Sequence, residues 1–288
     1  MSKVVLNFCM VVLLALLANS CIKEDQSDCP TQFTVKLIVK DINYFNIAQF
    51  SELSPEAASQ PFMHFTSTLY YTVTDKATRQ VVQQSDVLTT SGSTQDYTIL
   101  LNNLPVGEYE FSVWGNISND IPAGILHPNG LEHTDIYTAR ASINITPESQ
   151  SQTVELERTK GKLVVFCRNF PDEITGINLS ASPVYQSTDT YLNYQGSTSV
   201  QKSATRTVIN QILMAPTPEG GDTTLNLNFD TQTARATSPV LSIPPISVTI
   251  HRNEITAVSL DYDIISNALE IWAYINGEWS MLHHLDIK

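Results

Sequence analysis

The chain has 288 residues and carries 16 Lys and Arg against 29 Asp and Glu, a formal net charge of −13 at pH 7. An acidic surface repels phosphate groups, so this balance argues against nucleic acid and anionic lipid as partners. At this length we expect two domains of roughly 130 residues each.

The first twenty residues have the layout of a secretory signal. Lys3 supplies a positive start, residues 4–17 are almost wholly apolar, and Ala18-Asn19-Ser20 is a small-residue cleavage zone. The apolar run of about fourteen residues is shorter than the roughly twenty that a membrane-spanning helix needs. We therefore predict that residues 1–20 are a signal peptide, with a short membrane anchor or a buried core helix as the alternatives.

The residues that follow resemble the start of a bacterial lipoprotein. Leu17-Ala18-Asn19-Ser20-Cys21 is similar to the lipobox, in which the cysteine is acylated and becomes the first mature residue. Each buried methylene of an acyl chain contributes about 0.8 kcal/mol, so two or three chains hold a protein on a membrane. We expect lipidation of Cys21 and a lipidated tether over residues 21–30. Lys23-Glu24-Asp25 resembles the signal that sends Bacteroidota lipoproteins to the outer face of the outer membrane, although any solvated tether would also be charged.

Two cysteines, Cys29 and Cys167, remain once Cys9 has left with the signal and Cys21 is acylated. An exported protein reaches an oxidising compartment, where two remaining cysteines are typical of one disulfide. Cys167 lies in phase with the apolar residues of GKLVVFC, so a buried thiol is the competing interpretation. The sequence leaves both open.

Alternation of apolar and polar residues dominates the rest of the chain. It is clearest in residues 33–39, 109–113, 225–229 and 258–262. A period of two with one apolar face indicates half-buried strands, and no long stretch has a convincing helical period. The predicted class is all-β, with sandwich packing of the sheets.

A domain boundary is expected between two series of these strands. One series closes at Leu156, residues 158–161 are polar and turn-capable, and a new apolar strand starts at Leu163. We therefore predict an N-terminal β-sandwich over residues 31–158 and a C-terminal β-sandwich over residues 159–288. The two predicted domains have a similar order of strands and turns, without a clear sequence repeat.

A short motif in the second half is a candidate modification site. Asp222-Thr223-Thr224 resembles the triplet that is O-glycosylated in exported Bacteroidota proteins. It follows a Gly-Gly turn, which predicts that Thr223 is accessible.

The clearest hairpin is ALEIWAYINGEWSMLHH, near the C-terminus. Asn276-Gly277 is the preferred two-residue type I′ turn, because both central positions need a positive φ. That turn places four large side chains on one face, in the opposed pairs Tyr274–Trp279 and Trp272–Met281. The final run, residues 278–288, then forms either an edge or exchange strand or a strand that merely completes its own sheet.

No constellation of catalytic residues is found in the sequence. There is no nucleophile elbow, no phosphate-binding loop, no HExxH and no close set of Cys and His ligands. The six histidines are scattered apart from His283-His284, and adjacent strand residues point to opposite faces. We therefore predict no catalytic residue, no metal site and no cofactor, and do not expect an enzyme.

The order of these features resembles the FimB/Mfa2 family of fimbrial anchor lipoproteins. The shared layout is a lipobox cysteine, a short charged tether, and DCP before a hydrophobic strand. LNNLPVGEYEFSVWGN, residues 101–116, is similar to the family's first domain in its L-x-x-L-P-x-G-x-Y turn and its strand ending in Trp-Gly. RTKGKLVVF, residues 158–166, is similar to the entry into the second domain.

The resemblance implies two transthyretin-like β-sandwiches held by lipid at the base of a pilus. It also implies joining by strand exchange, in which a strand of one subunit pairs the free sheet edge of the next. The expected partners are a fimbrial shaft subunit and, through the lipid, the outer membrane. The stalk subunits of such fimbriae lose their first strand to an arginine-specific protease. No arginine precedes Arg79 here, so we do not expect cleavage within the first strand. This fits a base subunit that keeps its anchor. A fimbrial tip or accessory adhesin is the alternative within this interpretation.

An alternative from another class is a surface glycan-binding lipoprotein of a polysaccharide-uptake system. It would share the anchor, the export signal and the β-sandwiches. The exposure of the three tryptophans, Trp114, Trp272 and Trp279, distinguishes a glycan-binding protein from a fimbrial anchor. Exposed indole rings would stack on sugars, whereas tryptophans of a sandwich more often close its core.

Overall fold

The structure is a computed structural model that describes residues 31–148, 151–172, 174–205, 207–231, 243–275 and 277–286. The predicted signal peptide and tether lie outside these residues. The strands of the first half, residues 31–158, are β1 (Thr31–Val39), β2 (Thr68–Asp75), β3 (Val81–Gln84), β4 (Leu88–Thr89), β5 (Asp96–Leu104), β6 (Gly107–Gly115), β7 (Tyr137–Ile145) and β8 (Ser151–Arg158). The strands of the second half, residues 159–286, are β9 (Gly161–Arg168), β10 (Ile174–Val184), β11 (Ser187–Thr188), β12 (Tyr194–Gln195), β13 (Thr198–Thr205), β14 (Ile209–Met214), β15 (Thr223–Thr231), β16 (Ile246–Val248), β17 (Ile255–Asp263), β18 (Ala268–Ile275) and β19 (Glu278–Asp286). The described helical elements are α1 (Phe62–Phe65) and two 3-10 turns, Ile47–Gln49 and Pro128–Gly130.

The first half packs two layers of strands against each other. Its strands follow the order β3-β2-β6-β7-β8-β1-β5, with β4 beside β2. Among the described residues β7 meets β8 at its end, through Tyr137–Arg158 and Thr138–Glu157, so the sheet folds over at this point. Apolar side chains at alternate positions fill the space between the layers, among them Phe33, Val35, Leu37, Tyr109, Phe111 and Val113.

The second half repeats this strand order. The layer β13-β10-β15-β16 corresponds to β3-β2-β6-β7, and the layer β14-β9-β17 corresponds to β5-β1-β8. In each half the opening strand is central: β1 is antiparallel to β5 and parallel to β8, and β9 is antiparallel to β14 and parallel to β17. The hairpin of β18 and β19 extends the second layer beyond β17, without a counterpart among the described strands of the first half.

These observations confirm the predicted all-β class with sandwich packing. The described strands pair within their own half, apart from two isolated bridges, Ile125–Ser187 and Leu131–Gln201. The transthyretin-like topology, and the division into domains over residues 31–158 and 159–288, stay predictions.

The polar link between the halves is buried. Arg158, Thr159 and Lys160 are each at most 4% exposed. Thr159 donates from its backbone N–H (2.9 Å) and its hydroxyl (2.8 Å) to the carbonyl of Ile136. The Lys160 ammonium donates to the backbone carbonyls of residues 133–134, at 3.1 and 3.0 Å. Buried donors need such partners, so the link is a fixed junction.

Candidate functional site

The first described strand begins at the end of the first half that lies away from the junction. Thr31 pairs with Leu104 there, and β1 runs from this point toward the second half. Asp41, just beyond β1, accepts a hydrogen bond from the backbone N–H of Arg158 at the junction (2.9 Å). We call the end at Thr31 and Leu104 the N-terminal pole.

The last described strand ends at the opposite end of the molecule. β9 leaves the junction and reaches Arg168, which lies opposite Asp261 of the parallel β17. β18 then returns to the junction and β19 runs out again, so Asp286 pairs with Ala268. We call the end formed by Arg168, residues 263–268 and Asp286 the C-terminal pole. Because β1 has nine residues and β9 eight, at about 3.3 Å each, the poles are separated by up to roughly 55 Å.

The C-terminal strand β19 is an edge strand. It closes one side of the five-stranded sheet β14-β9-β17-β18-β19, and among the described strands β18 is its partner. An edge of nine residues presents a row of backbone N–H and C=O groups that another strand can pair. A bulge opposite Ile271 and Trp272 interrupts its inner side. β19 therefore offers the geometry that strand addition requires.

The predicted register of this hairpin is confirmed. Tyr274 lies opposite Trp279, and Trp272 lies opposite Met281. Gly277 has a φ of 89°, the positive value that the turn needs, while residue 276 lies outside the described residues. The Trp279 ring packs edge-on against Tyr274, with centroids 5.5 Å apart. The contact fixes the position of the Trp279 indole, whose other side is exposed, against the hairpin.

Exposed isoleucines mark the C-terminal pole. Ile264 and Ile265, in the turn between β17 and β18, are 70% and 97% exposed. This apolar pair supplies contact area that a partner at this pole could bury. The pole therefore combines an apolar turn with the end of the edge strand β19.

The lipidation and disulfide predictions fall partly outside the described residues. Cys21 and Cys29 both lie there, so lipidation of Cys21 and a Cys29–Cys167 disulfide stay predictions. Cys167 is buried in β9, and its Sγ lies 3.6 Å from Nδ2 of Asn210.

The predicted accessibility of Thr223 is wrong. Its side chain is fully buried, its hydroxyl donates to the carbonyl of Pro183 (2.8 Å), and it lies 2.6 Å from the hydroxyl of Thr217. The Gly-Gly turn before it is exposed, but Thr223 lies on the same face of β15 as the buried Leu225. The folded protein thus leaves no room for a glycan on this oxygen.

The tryptophans differ in burial. Trp114 is 7% exposed and packs with Leu126 and Ile136 into the core of the second half, although all three belong to the first. Trp272 is partly buried and Trp279 is 37% exposed. The core interpretation is confirmed for Trp114, and Trp279 is the most exposed of the three.

Arg158 is the electrostatic centre of the junction. Its Nε donates to Asp135 Oδ2 (2.6 Å), its Nη1 to Asn253 Oδ1 (2.8 Å) and its Nη2 to the Tyr137 hydroxyl (2.7 Å). The guanidinium also lies 4.1 Å from the ring centre of Tyr44. Burial raises the pKa of Asp135, and the positive charge of Arg158 opposes that rise. The network joins loops of the first half to the second half through one buried cation.

His127 makes a second polar connection across the junction. Its Nε2 accepts the backbone N–H of Ala215 (2.9 Å), and its Nδ1 donates to the carbonyl of Leu131 (3.1 Å). Burial, with a smaller effect of nearby Lys160, lowers the pKa of His127 to about 3. The ring is therefore neutral and structural.

The described residues contain no group of three or more His, Cys, Asp or Glu side chains that could hold a metal ion. No described helix is both long enough and apolar enough to cross a membrane.

Solved structures with a similar arrangement of strands include fimbrial proteins. A fimbrial assembly protein from Parabacteroides distasonis has a TM-score of 0.55 at 9% identity, over 88% of this chain and 99% of that one. The fimbrial anchor protein Mfa2 from Porphyromonas gingivalis has a TM-score of 0.53 at 12% identity, over 88% and 100%. The chain has the fold of these fimbrial proteins. The tip fimbrial protein Mfa3 from the same organism, with C-terminal truncation, gives 0.50 at 13%, over 88% and 98%.

Mfa2 is a member of the family that the sequence resembles, so the resemblance is confirmed at the level of the all-β fold. No family model and no curated protein matches the sequence.

Proposed function

We propose that this protein is an outer-membrane lipoprotein that anchors a fimbria at its base and is displayed on the cell surface. The observation that carries the proposal is the opposite placement of the two poles in a chain with the fold of a fimbrial anchor protein. Lipid on Cys21 would hold the N-terminal pole to the membrane through the tether. The C-terminal pole would then face away from the membrane, where a shaft subunit can reach it.

The shaft subunit joins the anchor at β19 by strand pairing. The free edge of β19 supplies backbone hydrogen-bonding groups, and the exposed Ile264 and Ile265 supply apolar contact area at the same pole. Pairing of backbone groups gives affinity in such additions, while side-chain pockets give specificity. No catalytic step is needed for this role.

A deletion tests the attachment site. Removal of residues 278–288 takes away β19, and we expect the variant to be exported but to leave the shaft unattached. Fimbriae retained on the cell at the normal level by this variant would contradict the proposal.

A pair of substitutions tests the pole without removing a strand. We expect Ile264→Glu with Ile265→Glu to weaken shaft attachment, because two charges would enter the contact. The matched control is Val81→Glu with Val82→Glu on β3, since these side chains are also exposed (55% and 47%) and the charge change is the same. The control variant should attach fimbriae normally, and equal loss in both variants would contradict the assignment to the C-terminal pole.

The partner can be identified by pull-down of the lipidated protein from detergent. A tag fits in the loop at Gly220-Gly221, which is exposed and has open space around it. We expect a ladder of one fimbrial shaft subunit, lost from the membrane fraction in Cys21→Ser. A TonB-type porin with glycan-handling proteins would instead support the polysaccharide-uptake function, and recovery from fibre tips would support an accessory adhesin.

A further inference from the structure

A loop of the first half crosses the outer face of the sheet that carries β19. This crossing loop, residues 44–53, follows β1, and its Phe50 is 2% exposed and packs with Val164 and Phe166 of β9. Val165, which lies between those two residues, belongs to the core of the second sandwich, so Val164 and Phe166 point away from that core. The first half therefore covers an apolar face that the second sandwich does not cover itself.

Polar contacts fasten the crossing loop near both of its ends. The side-chain amide of Asn46 accepts the backbone N–H of Ile255 and donates to the carbonyl of the same residue, both at 2.8 Å. The amide thus satisfies the backbone donor and acceptor with which β17 begins. Further along, Glu52 pairs with Arg168 at the C-terminal pole (2.8 Å). These contacts hold the loop in one position over the sheet.

Aromatic rings lead from the crossing loop to β19. The ring of Phe50 packs edge-on against Tyr274 of β18, with centroids 4.9 Å apart, and Tyr274 in turn contacts Trp279 of β19. The Trp279 ring also lies 6.0 Å from Phe166, which the loop covers. Edge-on aromatic pairs are favourable beyond the area that they bury. The first residues of β19 are therefore connected to the first half through these side chains.

The strand β19 has few other contacts that hold it in the sheet. None of its residues, Glu278–Asp286, is buried, whereas residues 255–260 of β17 are all buried. On its inner face Leu282 and Leu285 pack against the core of the second half. A segment with few buried contacts opens locally more readily than the whole protein unfolds, so the contacts of Trp279 are a large share of what keeps β19 in place.

We propose that Phe50 positions the edge strand β19: the crossing loop, acting through Tyr274 and Trp279, keeps β19 paired with β18 and ready for strand addition. The proposal rests on the proposed function, in which β19 is the edge that the shaft subunit pairs. It adds that this edge depends on the half that follows the predicted tether. Because Phe50 is buried, it is a positioning residue and not a contact for the shaft.

Hydrogen exchange of the purified lipidated chain, followed by mass spectrometry, tests this dependence without a shaft subunit. We expect the amides of β19 to exchange at least about tenfold faster in Phe50→Ala, with β6 and β17 unchanged. The matched control is Phe45→Ala, because Phe45 lies in the same loop and is 83% exposed; it should leave β19 as in the wild type. Phe50→Leu keeps most of the apolar volume and should restore most of the protection.

Equal exchange of β19 in the wild type and Phe50→Ala would overturn the proposal. A uniform increase in all strands would overturn it as well, since Phe50 would then support the fold as a whole. Trp279→Leu provides the test if Phe50→Ala does not fold, because Trp279 is 37% exposed and tolerates substitution more readily. It breaks the same connection at β19, and unchanged exchange of β19 in this variant would also overturn the proposal.

Shaft attachment in cells separates this proposal from the proposed function. Phe50→Ala should retain fewer fimbriae on the cell than Phe45→Ala. Normal attachment by Phe50→Ala together with faster exchange of β19 would support the positioning role and contradict attachment at β19. Reduced attachment with unchanged exchange of β19 would overturn the positioning role alone.

Discussion

Replacement of Arg158 by methionine should destabilise the protein strongly, because it leaves the largely buried carboxylate of Asp135, whose side chain is 19% exposed, without its cation. Arg158 is 4% exposed and donates side-chain hydrogen bonds of 2.6 to 2.8 Å to Asp135, Asn253 and Tyr137. Removal of one partner of a buried ion pair costs about 3–5 kcal/mol. This is a large share of the roughly 5–15 kcal/mol by which a folded protein is stable.

The loss should depend on pH in a defined direction. In Arg158→Met the pKa of Asp135, which burial already raises, would rise further because its cation is gone. A carboxyl whose folded pKa lies above its unfolded value takes up a proton on folding, so stability falls as pH rises through the folded pKa. The variant should therefore be less destabilised at pH 5 than at pH 8.

Urea unfolding followed by circular dichroism measures both effects. Asp135→Asn in the Arg158→Met background removes the uncompensated charge, and this double variant should recover part of the loss at pH 8. A cost of Arg158→Met below about 1 kcal/mol, which is the range of exposed ion pairs, would refute the assignment of this pair as a buried connection. The same conclusion would follow if Asp135→Asn recovered nothing.

Three further predictions concern the junction and the cysteines. Gly161→Ala should cost about 1–3 kcal/mol, because a Cβ there would lie 2.2 Å from the carbonyl oxygen of His251, while Gly221→Ala should be nearly neutral in the same urea titration because its surroundings are open. The pKa of His127 is about 3 in the folded protein and about 6.5 in the unfolded chain, so the chain takes up a proton when it unfolds between these pH values. The free energy of unfolding should therefore decrease by up to about 1.4 kcal/mol for each unit by which the pH falls from about 6.5 to about 3. His127→Gln should flatten that slope, and an unchanged pH profile would contradict it. Mass mapping under non-reducing conditions tests the Cys29–Cys167 disulfide, which needs two Cα atoms within about 7 Å, although Thr31 and Arg168 lie at opposite poles. Alkylation of both thiols, which that separation predicts, would end the disulfide prediction.

The local features of the fold could be predicted from the sequence. The opposed pair Tyr274 and Trp279 follows from one turn signal and a period of two, both of which depend on neighbouring residues alone. The burial of Thr223 could have been predicted in the same way, since it shares the phase of Leu225. The Gly-Gly signal concerns the turn and not the first side chain of the strand, so it gave the wrong result.

The long-range features could not be predicted in this way. Arg158 and Lys160 lie in a polar stretch that looks like a solvated link, and their burial depends on partners far away in the chain, such as Asn253. Trp114 is out of phase with the core residues of its own strand, and it is buried because the second half covers it.

The most direct test of the anchoring account is photocrosslinking in cells from the two poles. A photoreactive amino acid replaces Ile265 at the C-terminal pole in one strain, and Ala77, exposed near the N-terminal pole, in another. If the shaft binds the C-terminal pole, position 265 crosslinks to a fimbrial shaft subunit and position 77 does not. Crosslinks to the shaft from position 77 with none from position 265 would contradict the proposed orientation.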